Sequence, residues 1–549
     1  MRRSAVRVAV FLAVICLIGA LLFFVFKGRF GTGTAGYDDS VLAQYLWAPP
    51  GVPANPIEEL LEKRDPLQAV WHAWRTWYYS KDADLASREI EKILTHWNVR
   101  ETGKLTYGYP HGTIGAGWWS GMDMLMLPML LVEVGKSRDS EEYLRVARKV
   151  LETAMKSPSD GGVLWPDKGA GCWLSEYSWE GITRDEEYYV LNGHLFALQA
   201  LRMVAEQLDD EGLKEKYDCA ARGVEALASR FMGSDGRWPA YMLTPETINP
   251  ATYVIIEIIQ FDSLYALTGN PFFAAEGERR RNILKEHYPI MGVSSEREKL
   301  IFFSAIGAPH PYLIDIYRPI IRCTRGGRTL ELRGKRDGEL SERGFSKMAV
   351  ESLDGLSCSA HAEFRTGVES RLFTVDRPLL VDGDRKPEPL SYVIGDIVLD
   401  AASSPDGTVL IDPEVQSARK GEAEYLNEEG RIGISLPVTS IANTDLISIE
   451  IEADEPFPIG IALHHGERQI HRYSPPLEAG KKMLLVLSIH GFENSSDFRM
   501  MDRMTIYVYT KGFTRKARLK VGNVYVAKNA YEVDQIVREG GLKLVRGAE

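Results

Sequence analysis

Glu176 and Tyr177 stand side by side in the loop segment SEYSWEG, and Tyr188, Tyr189 and Asn192 follow at the head of an apolar helix in which Leu191, Leu195 and Leu198 share one stripe. A carboxyl and a phenol beside a buried helix end are a pair suited to moving protons. A phenol donates when neutral and accepts when ionised, although its ordinary pKa of ~10 needs help from neighbours before it acts as a base.

A second set of polar residues lies inside apolar helical stretches. Asp123, Asn192, Gln199, Glu257 and Gln260 fall on stripes spaced i, i+4, i+7: Trp119, Asp123, Met126; Asn192, Phe196, Gln199; Tyr253, Glu257, Gln260. Buried amides and carboxylates need partners. Any one stripe is explained by core hydrogen bonds, whereas three together favour a shared polar cavity. Tyr107, Tyr109, Trp118, Trp119, Trp173, Trp179, Tyr188 and Tyr189 lie nearby. Aromatic faces of this kind suit the apolar faces of sugar rings, although core packing explains each tryptophan taken singly.

These residues sit in a helical region from 57 to 289. Four helical hairpins are expected, at Asp65–Asn98, Trp118–Ser157, Tyr188–Phe231 and Thr252–His287, with Asp65 before Pro66 marking a helix start. In the last three an aromatic-headed apolar helix is followed by a polar turn (KSRDS, QLDDEG, TGNPFF) and a charged amphipathic helix. Their first helices begin roughly 65 to 70 residues apart, which reads as a repeated unit. Apolar helices inside and amphipathic helices outside make an all-α (α/α) toroid.

On the N-terminal side, Arg2, Arg3 and Arg7 precede an apolar run from Val8 to Phe26, closed by Lys27 and Arg29 and long enough to cross a bilayer. Residues 1–30 are therefore expected to be a transmembrane anchor, with a cleaved signal peptide as the rival. The slight excess of cations before the run orients the body outward. Residues 31–56, with GTGTAG and APPGVPANP, form a linker. On the C-terminal side helical periodicity gives way to strand alternation, as in LISIEIEA, IGIALHH, KKMLLVLSI, MTIYVYT and VGNVYVA. Residues 290–390 are expected to form a small β region, 391–530 an antiparallel, jelly-roll-like β-sandwich, and 531–549 a tail.

Composition narrows the function class. The chain of 549 residues is 45% hydrophobic and 26% charged, which suits a multidomain globular protein. Its net charge of -11 disfavours nucleic acid as a partner and means that any basic groove is local. Cys16 lies in the leader. Cys172, Cys219, Cys323 and Cys358 show no CxxC spacing, so spacing alone suggests neither a zinc site nor a disulfide framework, although an oxidising compartment allows bridges.

Three stretches occur in a fixed order: GAGWWSGMDMLML from Gly115; SEYSWEG, then VLNG opening a helix; and Tyr241–Leu267, YMLTPETINPATYVIIEIIQFDSLYAL. In this order they resemble the C-terminal domain of the D-glucuronyl C5-epimerases, over about residues 106–288. The resemblance implies an α/α barrel and a reaction that removes the proton at C5 of a uronate and returns one to the opposite ring face, with no metal or cofactor required. It carries the family's catalytic glutamate and tyrosines onto Glu176, Tyr177, Tyr241 and Tyr253. Tyr177 and Tyr253 are then the opposing acid and base, Glu176 tunes or shares the proton transfer, and Tyr241 assists. Trp118, Trp119, Asp123, Arg184, Tyr188, Asn192, Glu257 and Gln260 are the expected substrate contacts.

The chain departs from the family where cations are expected: Met242-Leu243-Thr244-Pro245-Glu246 follows Tyr241, and Val254-Ile255-Ile256-Glu257 follows Tyr253. The group that neutralises the substrate carboxylate is therefore missing from these segments, and Arg184 is the candidate for it. Arg322–Lys347 is basic, but its interspersed Glu331, Asp337, Glu339 and Glu342 make it a solvated strand face. His464, His465 and His471 lack companions at metal-ligand spacing. The expected partners are an acidic polysaccharide substrate, the membrane through the N-terminal helix and, at most, a second copy of the chain. A lyase on a similar toroid and a non-catalytic glycan-binding protein are the rival functions.

Overall fold

A computed structural model describes residues 56–166, 169–232, 238–249, 251–287, 290–295, 300–305, 317–332, 345–349, 355–364, 373–378, 380–381, 389–393, 396–400, 410–411, 424–428, 431–441, 446–465, 468–488, 501–509, 516–527 and 530–546. The expected membrane span and the linker lie outside these residues, apart from Pro56. Among the described residues no helix is long and apolar enough to cross a membrane.

The four hairpins are α1 (Pro66–Ser80) with α2 (Ala83–His96), α3 (Gly121–Arg138) with α4 (Glu141–Ala154), α5 (Leu191–Leu208) with α6 (Glu211–Leu227), and α7 (Ala251–Thr268) with α8 (Pro271–His287). Capping residues mark the starts of α1, α2, α3, α4 and α6. Asp65 accepts from the Gln68 N–H at 3.1 Å, Asp82 from Asp84 and Leu85, Ser120 from Met122, and Ser140 and Asp210 from the amides three residues on. The polar turns follow one pattern: Asp139 and Asp209 take the left-handed conformation that ends one helix, and the next residue caps the following helix.

α3 and α5 are buried round most of their circumference, whereas α4 and α6 bury one face. The first helices of successive hairpins pack side by side, α1 on α3, α3 on α5 and α5 on α7, so the apolar helices form the inner layer. The Cys172–Cys219 disulfide ties the loop before Glu176 to α6, and the Cys172 N–H donates to the Cys219 carbonyl.

The described strands between 290 and 381 form two four-stranded sheets. One is ordered Phe373–Pro378, Ser357–Phe364, Tyr317–Arg325, Arg328–Leu332, and the other Leu380–Val381, Ile290–Ser295, Leu300–Ala305, Phe345–Ala349. Cys323 and Cys358 are directly opposite each other on neighbouring strands and are bridged. All four cysteines outside the leader are thus paired, contrary to what spacing suggested, because the partners meet only in the tertiary fold.

Two seven-stranded sheets follow. One runs Leu410–Ile411, Asp396–Asp400, Lys516–Ala527, Leu446–Ala453, Lys482–Ser488, Lys543–Arg546, with Pro389–Val393 also paired to Lys516–Ala527. The expected tail is a correction: it forms the helix Ala530–Gly540 and a strand parallel to Lys482–Ser488, since its apolar face needs cover. The other sheet runs Glu424–Glu428, Arg431–Ile441, Met501–Tyr509, Gly460–His465, Arg468–Tyr473, Glu246–Ile248, Ala240–Leu243. Its last two strands belong to the helical half, between α6 and α7, so the halves share one sheet, with Gln469 opposite Thr247. Ile434, Ile461 and Ile506 of this sheet and Ile449, Leu485 and Leu519 of its neighbour lie in the same apolar core.

Candidate active site

Glu176 is seated over the first turn of α5. A methyl group at Gly193 would lie 2.0 Å from Glu176 Oε2, so the glycine of VLNG is the space that admits the carboxyl. The loop that follows is pinned to the strand hairpin at 240–248. The Tyr188 carbonyl accepts from the Leu243 N–H at 3.0 Å and the Thr244 N–H at 3.2 Å, and Val190 bridges Met242. Pinning these two segments brings Tyr177 beside Tyr241. Tyr253, in the first turn of α7, packs its ring edge-on against Tyr241 at 5.3 Å.

The result is a cavity of about 420 Å³ where the N-terminal ends of α5 and α7 face the shared sheet. From the helical half, Tyr177, Tyr188, Tyr241 and Tyr253 line it together with His111 and Thr113. Arg431, Gln469, His471, Tyr473 and Tyr509 of the C-terminal strands complete the lining. Behind Tyr177, His111 stacks on its ring at 4.4 Å, and Trp118 lies 5.4 Å away, itself stacked flat on Tyr107 at 3.6 Å. Trp118 Nε1 donates to the Tyr109 carbonyl, which fixes this aromatic backing.

Burial dominates the electrostatics. It pushes the Glu176 carboxyl up to about 7; Tyr177 pulls the other way, the charge of Glu187 adds to the rise, and the Gly193 N–H opposes it. Glu176 Oε2 has no hydrogen-bond partner. The Tyr177 hydroxyl is held well above its ordinary range by burial first and by the negative charge of Glu176 next, and Tyr241 is raised by the same two causes in the same order. Burial lowers His111 to about 4, so its imidazole is neutral. At neutral pH the site therefore holds the neutral phenols of Tyr177 and Tyr241 beside the Glu176 carboxyl, which burial pushes up to about 7.

The other expected contacts lie elsewhere. Asp123 accepts from the Tyr107 hydroxyl at 3.1 Å, and Trp119 Nε1 donates to the Gly162 carbonyl at 2.8 Å. Gln260 Nε2 donates to the Asn192 carbonyl at 2.8 Å, while Glu257 accepts from Arg280 Nε and Asn249 Nδ2, each at 2.6 Å, with both ion-pair partners buried. The polar stripes thus do not make one cavity wall: Gln260 bonds across to the next inner helix, Asp123 and Trp119 bond to loops, Glu257 bonds to the outer helix α8 and to Asn249, and of the stripe residues only Tyr253 lines the cavity. Arg184 sits on a turn outside the cavity and donates to the Pro166 carbonyl at 2.5 Å.

Arg431, Gln469, His471, Tyr473 and Tyr509 were not singled out as a site from sequence. Strand alternation puts Gln469, His471 and Tyr473 on one face at i, i+2, i+4, but nothing local says that this face meets the helical half. Two histidines of the shared sheet are hydrogen-bonded. His464 Nε2 is 3.1 Å from Thr505 Oγ1, and His471 Nδ1 is 2.8 Å from the Tyr507 hydroxyl.

Residues 93–282 match the family model described as the D-glucuronyl C5-epimerase C-terminus, over nearly the stretch that the three motifs mark out. No curated protein matches the chain. Among solved structures, the chain is similar to an unsaturated glucuronyl hydrolase from Bacillus sp. GL1, at 17% identity and TM-score 0.30, over 42% of this chain and 66% of that one. It is also similar to an unsaturated glucuronyl hydrolase specific for heparin (13% identity, TM-score 0.30, 42% of this chain and 63% of that one). A third is a polysaccharide lyase (13% identity, TM-score 0.29, 41% of this chain and 61% of that one). The chain spans less than two thirds of the length of each of these three.

Proposed function

We propose, from a helical domain that matches the D-glucuronyl C5-epimerase C-terminus, that the chain is a uronate C5-epimerase acting on glucuronate units within a polysaccharide and converting them to L-iduronate. The observation that carries this reading is the convergence of Tyr177, Tyr241 and Tyr253 on one cavity with Glu176 directly behind Tyr177.

The proton at C5 is weakly acidic because the carbanion formed delocalises into the adjacent carboxylate. A neutral phenol cannot accept that proton unless it gives up its own. In the proposed step the C5–H bond breaks, the proton passes to the Tyr177 oxygen, and the Tyr177 proton moves to ionised Glu176. Glu176 does not line the cavity, so it acts through Tyr177. Tyr253 then donates to C5 from the opposite face and is left as a phenolate. The proton held by Glu176 returns through Tyr177 and Tyr241 to Tyr253, which restores the starting state without net acid or base. Phenols in an open cavity exchange with water between turnovers, so each turnover in heavy water leaves deuterium at C5.

The deciding experiment incubates the protein with a panel of glucuronate polymers in heavy water and follows C5 by NMR. Deuterium at C5 with unchanged chain length is the expected result. Unsaturated ends and falling length would mean β-elimination by a lyase instead, and saturable binding without exchange would mean a glycan-binding protein.

The same proposal places the body outside the cytoplasm, anchored by the apolar run at 8–26. Two disulfides support an oxidising compartment.

A further inference from the structure

We infer that Arg431, supplied by the C-terminal sheet, is the residue that binds the uronate carboxylate, so the active site is incomplete without the β domain. The inference rests on the uronate reading above and adds the group which that chemistry lacks in the helical half.

Removing a proton next to a carboxylate puts a second negative charge on the same few atoms, and a fixed cation beside them is the direct way to hold it. The segments after Tyr241 and Tyr253 offer none, and Arg184 is turned to the Pro166 carbonyl. Among the described residues lining the cavity, Arg431 is the one arginine or lysine.

Its placement is built. Arg431 opens the strand Arg431–Ile441 and pairs in register with Tyr509. Its guanidinium lies over the Tyr507 ring, 5.6 Å from the centroid, a contact that helps to direct the side chain. Tyr507 is in turn held by His471, and the Tyr509 and Tyr473 hydroxyls are 3.1 Å apart. The Arg431 charge reaches this wall, where it pulls against the burial that raises Tyr509. A planar guanidinium also suits a carboxylate better than an ammonium does, since two parallel N–H donors match its two oxygens. The shared strands explain how an arginine so distant in sequence is held against Tyr241 and Tyr253. The helical half donates Glu246–Ile248 to the sheet on which Arg431 lies, so the two parts of the lining share one framework.

The test measures binding of two probes to wild type, Arg431→Gln and Arg431→Lys: a glucuronate–N-acetylglucosamine oligosaccharide and its carboxyl-reduced form, in which each carboxylate is a hydroxymethyl group. C5 exchange is followed in parallel. Wild type is expected to prefer the carboxylated form. Arg431→Gln should weaken that form by roughly 30- to 100-fold, the range for a charge-assisted pair, while leaving the reduced form within about twofold. Arg431→Lys should recover part of the preference, and circular dichroism reports whether each variant is folded.

Wild type that binds the two forms alike, or binds neither, overturns the assignment, as does an Arg431→Gln protein that keeps the preference. A folded Arg431→Gln that loses both forms equally also overturns it, because Arg431 would then only prop the wall. Wild type that prefers the carboxylate yet exchanges no C5 proton removes the epimerase reading and leaves the Arg431 assignment standing.

Discussion

Replacing Glu176 with glutamine tests the site through stability as well as through turnover. Burial holds the folded-state pKa of Glu176 at about 7, against an ordinary value of 4.5, so the folded protein binds a proton that the unfolded chain has released. The sign follows from a raised pKa on an acid: the stability linked to this group is fully present below about 4.5 and is lost as pH rises through about 7. The difference between these two values corresponds to about 3 kcal/mol.

Glutamine does not titrate, so denaturant unfolding of Glu176→Gln should lack that decline. The gap between variant and wild type should move in favour of the variant by about 3 kcal/mol between pH 4.5 and pH 8. The other buried acids titrate alike in both proteins and cancel in the comparison. The same substitution should abolish C5 exchange, whose wild-type rate should rise with pH through about 7 as Glu176 ionises. A stability gap that stays flat with pH would show that Glu176 titrates normally and would remove it as the proton acceptor behind Tyr177.

Tyr253→Phe and Tyr177→Phe should each keep the fold, read by near-UV circular dichroism, while deuterium incorporation falls by at least about a hundredfold, the low end for losing a general acid or base. Gly193→Ala places a methyl on Glu176 and should displace it; the expected loss of exchange would be checked against an unchanged Arg431-dependent preference for the carboxylated probe. Arg280→Met leaves the buried Glu257 carboxylate unpaired and should cost about 3 to 5 kcal/mol in denaturant unfolding, with partial recovery in the Arg280→Met, Glu257→Gln double variant. Recovery of exchange along with stability in that double variant would mark Glu257 as a structural group. Cys172→Ala with Cys219→Ala opens a loop of 47 residues and should cost about 4 kcal/mol on chain-entropy grounds, read as a lower denaturation midpoint.

The sequence by itself determined the four hairpins, because apolar spacing, capping aspartates and serines and polar turns are local signals that each segment carries alone. The Glu176-Tyr177 pair over the VLNG helix start is also legible from residue type and order, whereas Tyr241 and the role of Tyr253 came from the resemblance to the D-glucuronyl C5-epimerases. Only the tertiary structure decided where the polar positions of the inner helices find their partners, in loops, on an outer helix or on the next inner helix, that four cysteines pair, and that residues 530–546 close a sheet. It also decided which strand face meets the helical half. An arginine at the start of one strand among many carries no local mark of function. Its place in the cavity depends on the pairing of residues 240–248 with strands from the far end of the chain, and a pairing across such a separation is set by the packing of whole surfaces rather than by any neighbouring residue.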